Sequence, residues 1–269
     1  MAYRNPLTPY LRLTAAQVRS QAQYRFSFVL DLFGQTAVTV LDFLTILVLF
    51  RITPVLGGFE LHEVLVMSGI AITGFSIADL AVGNVEQLAH YVRTGLLDAM
   101  LIRPRRVLPQ LLAVDFQLRR IGRVVFAAVV LAVAAAASGV EWTWWRWLLV
   151  VTAPLAGAVF FSAVFVITAT TMFWWVDSRE FSASFTYGGR DFTSYPLTVF
   201  GGGFRRLFGY ALGFGFVAYH PTLALLGRAD PLGAPGWLGW SGPVVASIAA
   251  LAAGALWRTG LRHYKGTGS

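Results

Sequence analysis

The chain has no cysteine and only one lysine, Lys265, among its 269 residues. Without cysteine there can be no disulfide framework and no thiolate metal site. The lone lysine lies in Tyr264-Lys265-Gly266-Thr267. A phosphate-binding loop needs a glycine-rich turn ending in Gly-Lys-Ser or Gly-Lys-Thr at a helix start, so this chain cannot build one. Any ATP spent on its behalf is hydrolysed by another protein. Charge is scarce as well: 13% of residues are charged, against roughly 25% in a soluble domain. His62, His90, His220 and His263 stand far apart without ligand-like spacing to carboxylates, so no metal site is expected. A Gly-x-Ser-x-Gly elbow and paired catalytic carboxylates are also missing.

What the chain does have is apolar length, with 57% hydrophobic residues. Runs long enough to cross a bilayer occur at Phe26–Phe50, Glu63–Gly83, Phe116–Ser138, Trp147–Trp175, Leu207–Gly227 and Pro243–Leu261. The expectation is an all-α polytopic membrane protein with six transmembrane helices. The fifth run is broken by Gly209, Gly213 and Gly215, and Pro221 can turn its end into a re-entrant or interfacial helix. The formal charge of +8 does not point to nucleic acid, because the basic residues sit in short groups between apolar runs rather than along one face. With the N-terminus inside, eighteen Lys and Arg residues fall on inner segments and three (Arg51, Arg146, Arg228) on outer ones. That asymmetry obeys the positive-inside rule and places both termini in the cytoplasm. Trp142, Trp144, Trp145, Trp147, Trp237 and Trp240 then fall at the outer boundary as an aromatic belt. Ahead of the first span, Leu7, Leu11, Thr14, Ala15, Val18 and Ala22 recur at three- and four-residue steps opposite Arg12, Arg19 and Gln23. This pattern predicts an amphipathic interfacial helix within residues 1–25. Met1 to Arg25 is too polar for a secretory signal.

The most informative polar stretch runs from Val85 to Pro104, between spans two and three. Leu88, Tyr91 or Val92, Leu96 and Ala99 can share one helical face, Gly95 permits a break and Pro104 stops the segment. Arg93, Gly95, Asp98, Leu101, Arg103 and Pro104 follow in an order that resembles the permease subunits of ABC-2 type exporters, in the short six-span branch. Tyr24-Arg25 before span one, the stretch Phe173 to Ser178, Tyr195-Pro196-Leu197 and the ending Tyr264 to Ser269 extend the resemblance over nearly the whole chain.

The resemblance implies a single permease domain over 1–269 with an ABC-2 (type V exporter-like) fold, six spans in 26–261 and a cytoplasmic coupling helix in 85–104. Tyr91, Arg93, Gly95, Asp98, Leu101, Arg103 and Pro104 would engage a separate ATPase, and Tyr24 and Arg25 would touch it from the side. Ordinary positive-inside charge suffices for Arg105 and Arg106. The implied partners are two ATPase subunits, a second permease, identical or related, and the lipid bilayer. ATP and Mg would be bound by the ATPase, with no cofactor on this chain. The reading is ATP-driven export of a hydrophobic substrate across the cytoplasmic membrane. A secondary transporter and a membrane enzyme acting on a lipid intermediate are the competing classes. Asp42 falls near the centre of span one, where a carboxylate costs about 2.5–3.5 kcal/mol on insertion scales. It either lines the substrate path or pins span one to a neighbouring helix.

Overall fold

The computed structural model describes residues 25–114, 117–175 and 179–264, together with Ala15 and Arg19. The expected N-terminal amphipathic helix, the Tyr24 contact and the ending after Tyr264 therefore lie outside the described residues, as does the side chain of Arg25. The described chain is helical: α1 (Arg25–Ile52), α2 (Leu61–Val82), α3 (Leu88–Arg93), α4 (Leu96–Leu101), α5 (Val107–Val114), α6 (Ile121–Ala137), α7 (Trp144–Thr170), α8 (Arg179–Thr193), α9 (Tyr219–Leu226) and α10 (Gly242–His263). Five stretches are long and apolar enough to cross a membrane: Phe28–Ile52, Leu61–Arg93, Leu118–Ala137, Trp144–Phe173 and Gly242–His263. They correspond to the expected spans one to four and six.

The centre of the bundle is α2, which is apolar on every side and buried from Glu63 to Asp79 with few gaps, as such a helix must be. It packs against α6, α7 and α8. Between helices in lipid, close backbone approach and van der Waals contact replace the hydrophobic driving force. Gly74 provides such an approach, since a Cβ there would stand 2.9 Å from the Pro154 carbonyl oxygen on α7. The outer faces of α1, α6, α7 and α10 present Phe33, Leu41, Val129, Val151, Ile248 and Leu251 outward, the surface that a bilayer requires. At one end the tryptophans gather: Trp142 packs on Trp147 at 4.4 Å, and Trp145 lies 6.3 Å from Trp240. The aromatic belt is thus one cluster at the end that also holds Arg146. The opposite end carries Arg93, Arg103, Arg105, Arg106 and Arg119.

The segment Leu207–Gly227 is not a fifth spanning helix. Instead, α8 and the residues after it run from the arginine end of the bundle to the tryptophan end. At the arginine end, Ser182 Oγ donates to the Thr168 carbonyl (2.8 Å) and Tyr187 OH to Glu86 Oε2 (3.3 Å). At the tryptophan end, Ser194 O accepts from Ser68 Oγ (2.7 Å) and Thr198 Oγ1 donates to Gly57 O (2.6 Å). The chain then turns back as a hairpin. Its first arm includes the π-helical stretch Arg205–Ala211; Phe208 within it and Phe204 just before it pack along Phe185 and Phe192. Gly213, at φ +86°, forms the tip beside Phe160 and Val245. The second arm, with α9, returns to the tryptophan end, where Arg228 bonds to Glu63 and to the Gly58 carbonyl. Glycine at 209, 213 and 215 prevents one continuous helix: each costs about 1 kcal/mol in a helix interior, and Gly213 must be left-handed.

Candidate functional site

Charged groups meet inside the bundle at two levels. Nearer the arginine end, Asp79 of α2 is 1% exposed and receives Arg120 Nη1 at 2.8 Å and Arg123 Nη1 at 3.2 Å. Arg120 also donates to the Asp79 carbonyl at 2.6 Å. Its guanidinium lies where a Cβ on Gly83 would be, so the glycine keeps that room open. Arg123 reaches across to the backbone and side-chain oxygens of Gln35 on α1, and Arg119 pairs with Asp31 at 3.2 Å. One buried carboxylate thus ties α1, α2 and α6 together.

Further in, Asp42 of α1 pairs with Arg190 of α8, Nη2 to Oδ1 at 2.8 Å. Arg190 also holds Asp191 at 3.1 Å, and its guanidinium lies 5.6 Å from the Phe75 ring centroid. Asp42 stands ten residues from the end of α1, roughly 15 Å at 1.5 Å per residue, which is mid-bilayer depth. Asp42 thus meets a basic partner on a neighbouring helix. Arg190, expected in an inner loop, instead lies within the bundle, and Arg205 and Arg206 sit in the hairpin arm that starts from the tryptophan end.

The sequence of α8 explains its position. Ser182 and Thr186 are buried against α7, where Thr186 Oγ1 meets Thr168 Oγ1 at 3.3 Å. Small polar side chains let the two helices approach closely. Gly189 makes room for the Phe214 ring of the hairpin. On the other face Ser184, Gly188 and Asp191 are exposed, with the Asp191 side chain 64% so. A carboxylate this exposed at bilayer depth needs water or a protein partner beside it.

The loop between α2 and α6 lies at the arginine end. Gly95, at φ +71°, separates α3 from α4, so the expected break is present. The break also resets the helical phase. The buried residues are Leu88, Tyr91, Val92, Leu97 and Met100, whereas Leu96, expected on one face with Leu88, is exposed. Asn84 Nδ2 donates to Tyr91 OH (3.3 Å) and the Leu111 carbonyl (3.1 Å). Asp98 lies near Tyr264 at the end of α10; burial, then the neighbouring Asp98 carboxylate, push the Tyr264 phenol up to about 12. Tyr91 and Asp98 therefore brace the loop from inside, while Arg93, Leu101, Arg103 and Pro104 face outward. Beside them Ile102 is 85% exposed.

Reasoning from sequence missed Asp79, Arg120, Arg123 and Arg190. The burial-cost argument applied to Asp42 holds equally for Asp79 within Glu63–Gly83, and would have found it. Among the described residues no group of three or more His, Cys, Asp or Glu could hold a metal ion.

Apolar helices of bilayer length, ionic pairs sealed between them and an amphipathic loop at one end define an integral membrane transport component. The family model described as "ABC-2 family transporter protein" matches residues 36–268, and the chain belongs to that family. Permeases of this family are the membrane components of transporters, are not themselves ATPases and normally work with ABC ATPase partners. No curated protein and no solved structure matches the chain.

Proposed function

We propose that this chain is the permease subunit of an ATP-driven exporter, pairing with a second permease, identical or related, and with two separate ATPase subunits. The observation that carries this reading is the loop at the arginine end, where Leu96, Leu101 and Ile102 stand exposed among arginines on two short helices fixed from within. An ATPase groove would cover that apolar ridge. Tyr91, through Asn84, and Asp98, facing Tyr264, join the ridge to α2, α5 and α10, so closure of the ATPases would move these elements as a unit. The arginine end is then cytoplasmic, and α8 supplies the sixth crossing. The exposed stripe Ser184, Gly188 and Asp191, with the Asp42–Arg190 pair beside it, would face the second permease across a wet path. A hydrophobic cargo suits the phenylalanines that line the neighbouring hairpin.

The test uses Ile102→Asp in the complex with its ATPase. Ile102 is almost wholly exposed, so folding and insertion are unaffected, and the variant is expected to lose co-purifying ATPase by roughly tenfold or more, as for a central apolar interface residue. Gly95→Pro cannot take a positive φ and is expected to uncouple ATP hydrolysis from transport. Normal assembly and transport by both variants would refute the docking role of the loop.

A further inference from the structure

The face of α2 opposite Asp79 forms an apolar slot with α7 and α10, a cavity of about 510 Å³ that Leu108 of α5 also lines. Its walls are Ala81 of α2, Leu155, Ala158 and Val166 of α7, and Ala250 and Gly254 of α10. Ser162 also lines it, but its hydroxyl donates to the Ala158 carbonyl at 2.7 Å, so the wall offers no unused donor. The slot follows α7 from Leu155 to Val166, roughly 16 Å of helix, which is about half the thickness of the hydrocarbon core, or one leaflet. No acidic residue lines it.

Its Leu108 side lies at the arginine end of the bundle. Leu108 stands two residues after Arg106; Arg105 and Arg106 are both exposed, and Gln110 Nε2 fixes their turn by donating to the carbonyls of Arg105 (3.3 Å) and Arg106 (3.5 Å). On the other wall, Arg258 lies one helical turn beyond Gly254 and is also exposed. An apolar slot one leaflet deep, with guanidiniums at the headgroup level, matches a lipid that has a hydrocarbon chain and a negative phosphate.

We propose that this slot binds an anionic glycerophospholipid of the surrounding leaflet, with one acyl chain between α2, α7 and α10 and the phosphate against Arg105, Arg106 and Arg258. The site does not depend on the transport reading. A lipid wedged there would set the distance of α10 from α2 and α7.

Purified, delipidated full-length chain is titrated with palmitoyl-oleoyl phosphatidylglycerol or the matching phosphatidylcholine, and retained lipid is counted by native mass spectrometry. Phosphatidylglycerol is expected to be retained at least tenfold more than phosphatidylcholine, since two of the three arginines at about 1 kcal/mol each already exceed that factor. Replacing Arg105, Arg106 and Arg258 together by Gln removes that preference. Gly254→Leu lowers retention of both lipids by filling the slot; a Cβ there meets nothing within 4 Å and leucine is the better helix former, so the fold survives. Inorganic phosphate does not compete. Equal retention of the two lipids, retention unchanged in both variants, or competition by inorganic phosphate would overturn the site.

Discussion

Asp42 and Arg190 are each costly alone at the middle of a bilayer and tolerable together, and that asymmetry makes their two roles separable. Removing one partner of a buried pair strands the other charge, which costs about 3–5 kcal/mol, whereas replacing both by apolar residues is often neutral. Asp42→Leu is therefore expected to lower the melting temperature of the purified permease sharply, and Asp42→Leu with Arg190→Leu to recover most of the loss. The double variant also strips the pair from the proposed path, so it should fold and yet export poorly. If it both melts and exports like the parent, the pair only fastens α1 to α8 and lines no path. Asp79 differs from Asp42 in having two guanidiniums and almost no exposure, so no single apolar replacement of a partner neutralises its site.

At the scale of elements, α8 and the hairpin are where sequence and structure part. The five long helices were legible because twenty or so consecutive apolar residues have one reading in a bilayer, and their ends agree within a few residues. The path of α8 through the bundle was not, because Arg179–Thr193 is polar by composition and its burial depends on α2, α7 and the hairpin, none of which is visible in the local pattern. The neighbouring Leu207–Gly227 is apolar for the opposite reason: its phenylalanines cover α8. The glycines that weakened this segment as a helix mark its turn. In the loop at the arginine end the break at Gly95 was legible but not its consequence, that Leu97 and Met100 rather than Leu96 and Ala99 share the face of Leu88 and Tyr91. Of the two polar levels, Asp42 was legible from its depth alone, but its partner required the path of α8. Gly213→Ala tests the hairpin. It places a Cβ at φ +86° and 2.8 Å from Val245, and is expected to destabilise the permease by about 1–3 kcal/mol, seen as a lower melting temperature. A neutral Gly213→Ala would mean that the tip relaxes freely and does not pack between α7 and α10 as described.

At the scale of the whole molecule, the path of α8 moves Arg205 and Arg206 to the tryptophan end and Arg190 into the bundle. The positive-inside balance then becomes fifteen against five instead of eighteen against three, weaker but of the same sign, so the proposed orientation stands. The two topologies differ most clearly at Gly202. A spanning helix over Leu207–Gly227 would leave Gly202 in the cytoplasm, whereas the hairpin places it outside. The residue is exposed, and a Cβ there meets nothing within 4 Å. The chain has no cysteine of its own, so Gly202→Cys, Gly236→Cys and Thr94→Cys each provide one thiol on an otherwise unreactive background. In intact cells a membrane-impermeant maleimide is expected to label positions 202 and 236 and to reach position 94 only after permeabilisation. Labelling of 236 but not 202 would show that α8 does not cross and restore the continuous fifth span. Labelling of 94 from outside would reverse the orientation and remove the coupling loop from the ATPase side. The result at 202 also bears on transport, because only a crossing by α8 puts the Asp42–Arg190 pair and the exposed Asp191 together within the membrane.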